Sequence, residues 1–303
     1  MIKYCVLFAI LGNIYIANTY SQGCSDAGIC TLPSFRPKIE NDVNDNKHQF
    51  KIGTTLGIGE LSVVAIDPFI GYSLLLKRYS LETKFTYGLR SGNNIQVNDF
   101  GDVFLINNYA ISERLSISAG VKFPIEHDEK NDSDAMLPMA YQSSLGTLDI
   151  LTGINFKTSK YHLALALQQP ITTLNENNYN AQTFAGDSLL QQFPDTRGFK
   201  RKGDILLRVS RSFRINEKLT FIPGIAPVYH IDEDEFRPNE LGRYEDIEGS
   251  SGLTINTSFI LVNQLKNGNM FSASLGFPLI VRQIRPDGLT RSFVLGVDYT
   301  FSL

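Results

Sequence analysis

RSFVLGVDYTFSL, residues 291–303, is the stretch whose reading decides the fold. Side chains alternate sides along a β-strand, so Phe293, Leu295, Val297, Tyr299, Phe301 and Leu303 share one face, and Ser292, Gly296, Asp298, Thr300 and Ser302 share the other. The apolar face is unbroken to Leu303, whereas the last strand of a soluble sheet usually tapers into a polar tail, because frayed ends gain nothing from exposed apolar groups. Such a face needs something continuous to lie against. Hydrocarbon outside and a wet lumen inside satisfy both faces at once, which is the arrangement of a transmembrane β-barrel.

The same period recurs upstream. Segments of about ten residues separated by turn signals predict an all-β fold, a single antiparallel transmembrane barrel of roughly 12 strands over residues 49–303. In the segment from Arg114, Leu115, Ile117, Ala119, Val121, Phe123 and Ile125 oppose Ser116, Ser118, Gly120, Lys122 and Pro124. In the segment from Ser80, Leu81, Thr83, Phe85, Tyr87 and Leu89 oppose Glu82, Lys84, Thr86, Gly88 and Arg90, so charge falls on the inner face. Asp67-Pro68 predicts a bend or bulge in the second strand.

Connections alternate in length. Tight ones are read at 77–79, 112–114, 158–160, 216–218 and 265–269. Long or polar ones are SGNNIQVND from Ser91, HDEKNDSDAMLPMAYQSS from His127, the stretch 174–199, DEDEFRPNELGRYEDIEGSS from Asp232, and RPDG from Arg285. Short periplasmic turns and long extracellular loops are the outer-membrane pattern. A soluble lipocalin-like barrel or sandwich would bury its apolar face inward and would need bulkier inner positions than these Gly, Ser, Thr and charged residues supply.

Residues 1–21 read as a signal peptide, with Lys3, the apolar run CVLFAILGNIYIA, and Thr19 and Ser21 before Gln22. The run is short of the roughly 20 apolar residues a spanning helix needs. A lipoprotein reading has Gly23 before Cys24 in its favour and Ser21 against it. Residues 22–48 are expected to form a periplasmic segment in which Cys24 and Cys30 close a small disulfide loop; a partial plug reaching into the lumen is the alternative. Mean hydropathy of −0.09 accords with a barrel, in which every second residue faces the lumen. A net charge of −3 gives no electrostatic argument for nucleic acid as a partner.

Beyond these patterns, GDVFLINNYAI from Gly101 and GVKFPIE from Gly120 resemble the Gly-Asp and Gly-x-Lys-x-Pro strands of the phenol-degradation meta-pathway barrels, relatives of the long-chain fatty-acid channel family. The resemblance covers residues 49–303 and leaves out GCSDAGICTLPSF. It implies outer-membrane passage of small hydrophobic or aromatic compounds, and matches no substrate residue. Leu303 stands where many such barrels carry an aromatic, with Phe301 two residues earlier.

No catalytic set is assembled. The histidines are His48, His127, His162 and His230, and beyond the paired cysteines no thiol follows the signal. An outer-membrane lipase needs Ser and His together on the lipid-facing wall, but His162 alternates toward the lumen with Ala164 and Ala166. No enzyme activity, cofactor or metal is therefore expected. The acidic residues of 232–248 lack EF-hand spacing and read as a solvated loop rather than a calcium site.

The lumen-lining candidates are Glu82, Lys84, Arg90, Lys122, Asp149, Lys157, Asp204, Arg208, Arg282 and Asp298. Both signs are present, as expected if they pair across strands, whereas an ion-selective pore clusters one sign at a constriction. Pro124, Pro170, Pro223, Pro227 and Pro278 each remove a ladder donor, which either bends strands to close a small barrel or opens a lateral gap for an apolar solute, with several at similar depth toward the extracellular half. The expectation is a monomeric outer-membrane barrel that passes a small apolar solute, its partners being outer-membrane lipid, lipopolysaccharide and the insertion machinery. The alternatives are a non-transporting surface barrel for adhesion or assembly, and a lipid hydrolase.

Overall fold

A computed structural model describes residues 32–37, 47–125, 131–132, 135–174, 177–184, 186–239, 242–265, 267–288 and 291–303. Twelve long strands form the wall: β1 His48–Gly59, β2 Val64–Leu75, β3 Tyr79–Gly92, β4 Ile95–Ala110, β5 Leu115–Pro124, β6 Thr147–Lys157, β7 Tyr161–Thr173, β8 Asp204–Arg211, β9 Leu219–His230, β10 Gly252–Gln264, β11 Met270–Ile280 and β12 Arg291–Ser302. Each pairs antiparallel with its sequence neighbours, and β1 pairs with β12 from Gln49–Ser302 to Gly59–Arg291, which closes the barrel. No helix is long and apolar enough to cross a membrane among the described residues.

The predicted faces are observed. Ile70, Phe85, Leu165, Ile225 and Leu295 stand outward and exposed, while Glu82, Lys122, Ala164, Leu206 and Thr300 stand inward and buried. An outward band of exposed Ile, Leu and Phe on every wall strand is stable only in hydrocarbon. The Tyr79 and Tyr109 rings meet at a tilt with centres 4.8 Å apart, and Tyr299 and Phe301 edge-on at 4.6 Å, beside the short turns, where an aromatic girdle meets the periplasmic interface.

Two local readings are corrected. SGNNIQVND is no loop: β3 and β4 run through it and join at Asn93-Asn94, whose φ values of 52° and 63° make the two-residue hairpin turn that matches strand twist. Here Ile95 and Val97 turn to the loop core rather than to lipid while Gln96 and Asn98 are exposed, and the Asn-rich stretch around them reads as a loop. Asp67-Pro68 shifts no register, since β1 and β2 pair from His48–Leu74 to Ile58–Val64, but the β2–β3 ladder lapses there, passing from Ile66–Leu89 to Phe69–Thr86. Register shifts occur instead in the β3–β4 ladder between Phe85 and Tyr87, in β6–β7 beside Pro170, and in β10–β11 beside Pro278.

The extracellular loops carry apolar cores of their own. Val63, Leu137, Tyr141, Tyr179, Leu190 and Phe193 pack together, and Met139, Leu145, Phe199 and Ile247 form a second cluster.

Candidate functional site: the lumen and its exits

The interior is built from the inner positions of the wall and from residues 32–37. Leu32 and Phe35 pack against Phe104, Ile106, Leu151, Ala164, Ala166, Leu206 and Ala226, all on lumen faces. Ser34 donates its hydroxyl to Oε2 of Glu82 at 2.6 Å. This corrects the periplasmic placement of 22–48 for residues 32–37, which enter the barrel. Apolar inner residues where polar ones prevail elsewhere make the seat for Phe35, and burying its ring is the driving force. The signal peptide and Cys24 and Cys30 lie outside the described residues.

Below the plug is a cavity of about 270 Å³, lined by Ser34, Arg36, Asn108, Asn155, Lys157 and His162 and by the turns at 76–78 and 112–114. It lies at the periplasmic mouth. His162 is on the lumen face, as its alternation requires.

The candidate charges fall into three groups. Within the wall, Lys122 Nζ lies 3.1 Å from Asp149 Oδ2 and donates to Thr147 Oγ1 at 2.9 Å; Arg90 Nη1 donates to Asp67 Oδ1 at 2.6 Å; and Lys51 Nζ lies 3.5 Å from Asp298 Oδ1. Glu82 accepts from both Ser34 and Asn108, and Lys84 sits 4.7 Å from the Phe69 ring centre. Lys157 ends β6 at the cavity, and Arg208 is buried on the inner face of β8.

The third group caps the lumen. Asp204, the first residue of β8, bonds Arg201, and His230, the last residue of β9, places Nδ1 2.7 Å from Asp204 and Nε2 2.9 Å from Asp234. Arg282 bonds Asp287 and donates to the Ser250 carbonyl at 2.6 Å. Arg282 is therefore a loop residue beyond the end of β11 rather than a wall residue. Burial opposes ionisation of Asp287, but Arg282 and Arg201 outweigh it and hold that carboxyl below the ordinary carboxylate range. This latch joins three loops, and its scattered members Arg201, Asp234 and Asp287 have no sequence spacing that could have grouped them. Among the described residues no cluster of three or more His, Cys, Asp or Glu side chains suits a metal, the acidic loop at 232–248 included.

The prolines act differently from one another. Pro124 ends β5, one residue past the Phe123 at which pairing with β6 has already stopped. Pro170 neighbours a register shift, Pro227 falls where the β8–β9 ladder skips from Leu206–Val228 to Val209–Ile225, and Pro223 stays in register with Phe259 in the periplasmic half, not the extracellular one. At Pro278 the wall opens: the β11–β12 ladder ends at Gly276–Val294, leaving Phe277–Ile280 and residues 291–293 outside it. That is about 13 Å of strand. Pro278, Leu279, Ile280, Phe293 and Val294 border the opening, and Leu279 is 61% exposed.

The chain is similar to several solved structures. The COG4313 outer membrane channel from Pseudomonas putida F1 aligns over 88% of this chain and 98% of its own, at TM-score 0.58 and 11% identity. The translocator domain of autotransporter NalP from Neisseria meningitidis aligns over 86% and 90%, at 0.47 and 10%, and the P. putida toluene transporter TodX over 86% and 91%, at 0.43 and 10%. At 11% identity the first likeness is one of fold. No protein-family model and no curated protein sequence matches the chain. A closed barrel of this fold, with lipid-demanding outer walls, is an outer-membrane barrel.

Proposed function

We propose that the barrel carries a small apolar or aromatic solute across the outer membrane, leaving the lumen through the opening between β11 and β12. The observation that carries this reading is the ladder ending at Gly276–Val294, above which both strand edges present apolar side chains. Unpaired backbone against hydrocarbon is costly, and a wall tolerates it where something polar or transient occupies the gap. The loop latch closes the axial route above and residues 32–37 narrow it below, so a sideways exit suits a solute that partitions into lipid. The motif resemblance at Gly101 and Gly120 supports the same class.

The test is a lock. Phe277 and Phe293 would be opposite if the register continued, so Phe277→Cys with Phe293→Cys should form a disulfide across the gap. Oxidation is expected to abolish uptake of toluene into proteoliposomes while leaving ion conductance unchanged. Undiminished uptake in the locked protein would discard the lateral route.

A second reading is favoured by one observation, the two apolar cores that order the extracellular loops. A surface barrel for adhesion or assembly needs such loops and no passage at all. It is distinguished by an absence of solute uptake in the unlocked protein.

A further inference from the structure

On the outer wall, β8 places Ile205, Leu207 and Val209 toward lipid, and then Arg211 in the same register. Arg211 pairs across the ladder with Tyr161, the first residue of β7, so both stand outward at the periplasmic end. Its guanidinium carbon lies 5.4 Å from the Tyr161 ring centre and 4.7 Å from that of Phe213, two residues on. Arg211 Nε is buried there without a hydrogen-bond partner.

A charged residue on a barrel's lipid face is costly at the midplane and nearly free at the interface, so its position at the strand end places it where headgroups begin. Both rings lie within cation–π range of the guanidinium and hold it against the wall, which leaves its terminal N–H groups to meet an acceptor. Among the described residues no carboxylate is paired with it. The surrounding rim adds a matching field: the periplasmic turns carry Lys77, Arg78, Arg114, Lys160, Arg214 and Lys218 against Glu113 and Glu217 among the described residues. Basic clusters beside a bilayer attract anionic lipid, and a guanidinium binds phosphate through two parallel hydrogen bonds.

We infer that Arg211, clamped between Tyr161 and Phe213, binds the phosphate of an anionic phospholipid in the periplasmic leaflet. The site is independent of whether a solute crosses the barrel.

The test uses the full chain in neutral detergent, with phosphatidylglycerol and phosphatidylcholine as probes and bound lipid counted by native mass spectrometry. Phosphatidylglycerol should be retained in preference to phosphatidylcholine, and Arg211→Gln should lower its retention about tenfold while phosphatidylcholine is unaffected. Arg211→Lys keeps the charge but loses the planar fork and the two-pronged bond, so it should fall most of the way to the Gln variant. Arg214→Gln, on the turn, should stay within about twofold of the parent. Equal retention by Arg211→Gln and the parent, or equal retention of the two lipids by the parent, would overturn the site. Should Arg211→Gln fail to fold, as read by heat-modifiable gel migration, the double variant Tyr161→Leu with Phe213→Leu removes the clamp and keeps the charge. It is expected to show the same loss, and parental retention in it refutes the inference.

Discussion

Phe35 rests against Gly153, so closely that a β-carbon added at position 153 would collide with the Phe35 ring. Residue 153 is on the wall strand β6 and Phe35 on the segment inside the barrel, so the absent side chain of one makes room for the other.

Phe35→Ala should therefore loosen the plug. Truncating a buried Phe costs about 3 kcal/mol, roughly a hundredfold in the docking equilibrium. Single-channel recordings in planar bilayers should show larger or more frequent open events than the parent, and Gly153→Leu should do the same by overfilling the seat. Unchanged conductance in both variants would mean that residues 32–37 do not limit ion flow.

Breaking the Lys122–Asp149 pair is expected to be costly, because each partner is almost completely buried. Lys122→Met alone leaves an uncompensated carboxylate and should lower stability by about 3–5 kcal/mol in urea unfolding from micelles. Replacing both residues, Lys122→Met with Asp149→Leu, should recover most of that loss.

The loop latch gives a dependence on pH whose sign follows from Asp287. Its carboxyl is held below the ordinary range, so the folded state binds fewer protons than the unfolded one across that interval. The stabilisation is fully present above the ordinary carboxylate value of about 4 and is lost as pH falls through the folded value. Hydrogen exchange at 281–288 should thus stay slow from neutral pH down to about 5 and accelerate only in stronger acid. Asp287→Asn should show fast exchange already at neutral pH.

Gly288 offers a separate handle on the same loop. It has φ of 63°, and a β-carbon there would run into the backbone of Ala140. Gly288→Ala combines left-handed strain of about 1 kcal/mol with that collision, so the 281–288 loop should become sensitive to protease while the wall keeps its thermal transition.

The wall was legible because lipid and lumen impose opposite demands at every second residue, as Phe85 beside Lys84 and Leu165 beside Ala164 illustrate. Ile95 to Asn98 are paired strand yet read as loop, because their short alternation serves the loop core rather than lipid and is flanked by Gly and Asn. The plug is only an alternative in the sequence because residues 32–37 are too short for any period, and its one signal is indirect, the small inner residues Gly153, Ala164, Ala166 and Ala226. The charges at Asp204 and Arg282 were picked out individually, but their partners Arg201, Asp234 and Asp287 come from three loops that only the fold brings together. Pro278 marked the opening in the wall, whereas four similar prolines did not, since a missing donor matters only where the neighbouring strand has already turned away.

The seam between β1 and β12 joins residues roughly 250 positions apart. Contacts of such separation form late and slowly, because the intervening chain must be ordered before they can repay its entropy. Maturation of this protein is then a race between sealing that seam and inserting the segment just ahead of β1: if the wall seals first, Phe35 has to thread in from the periplasmic mouth.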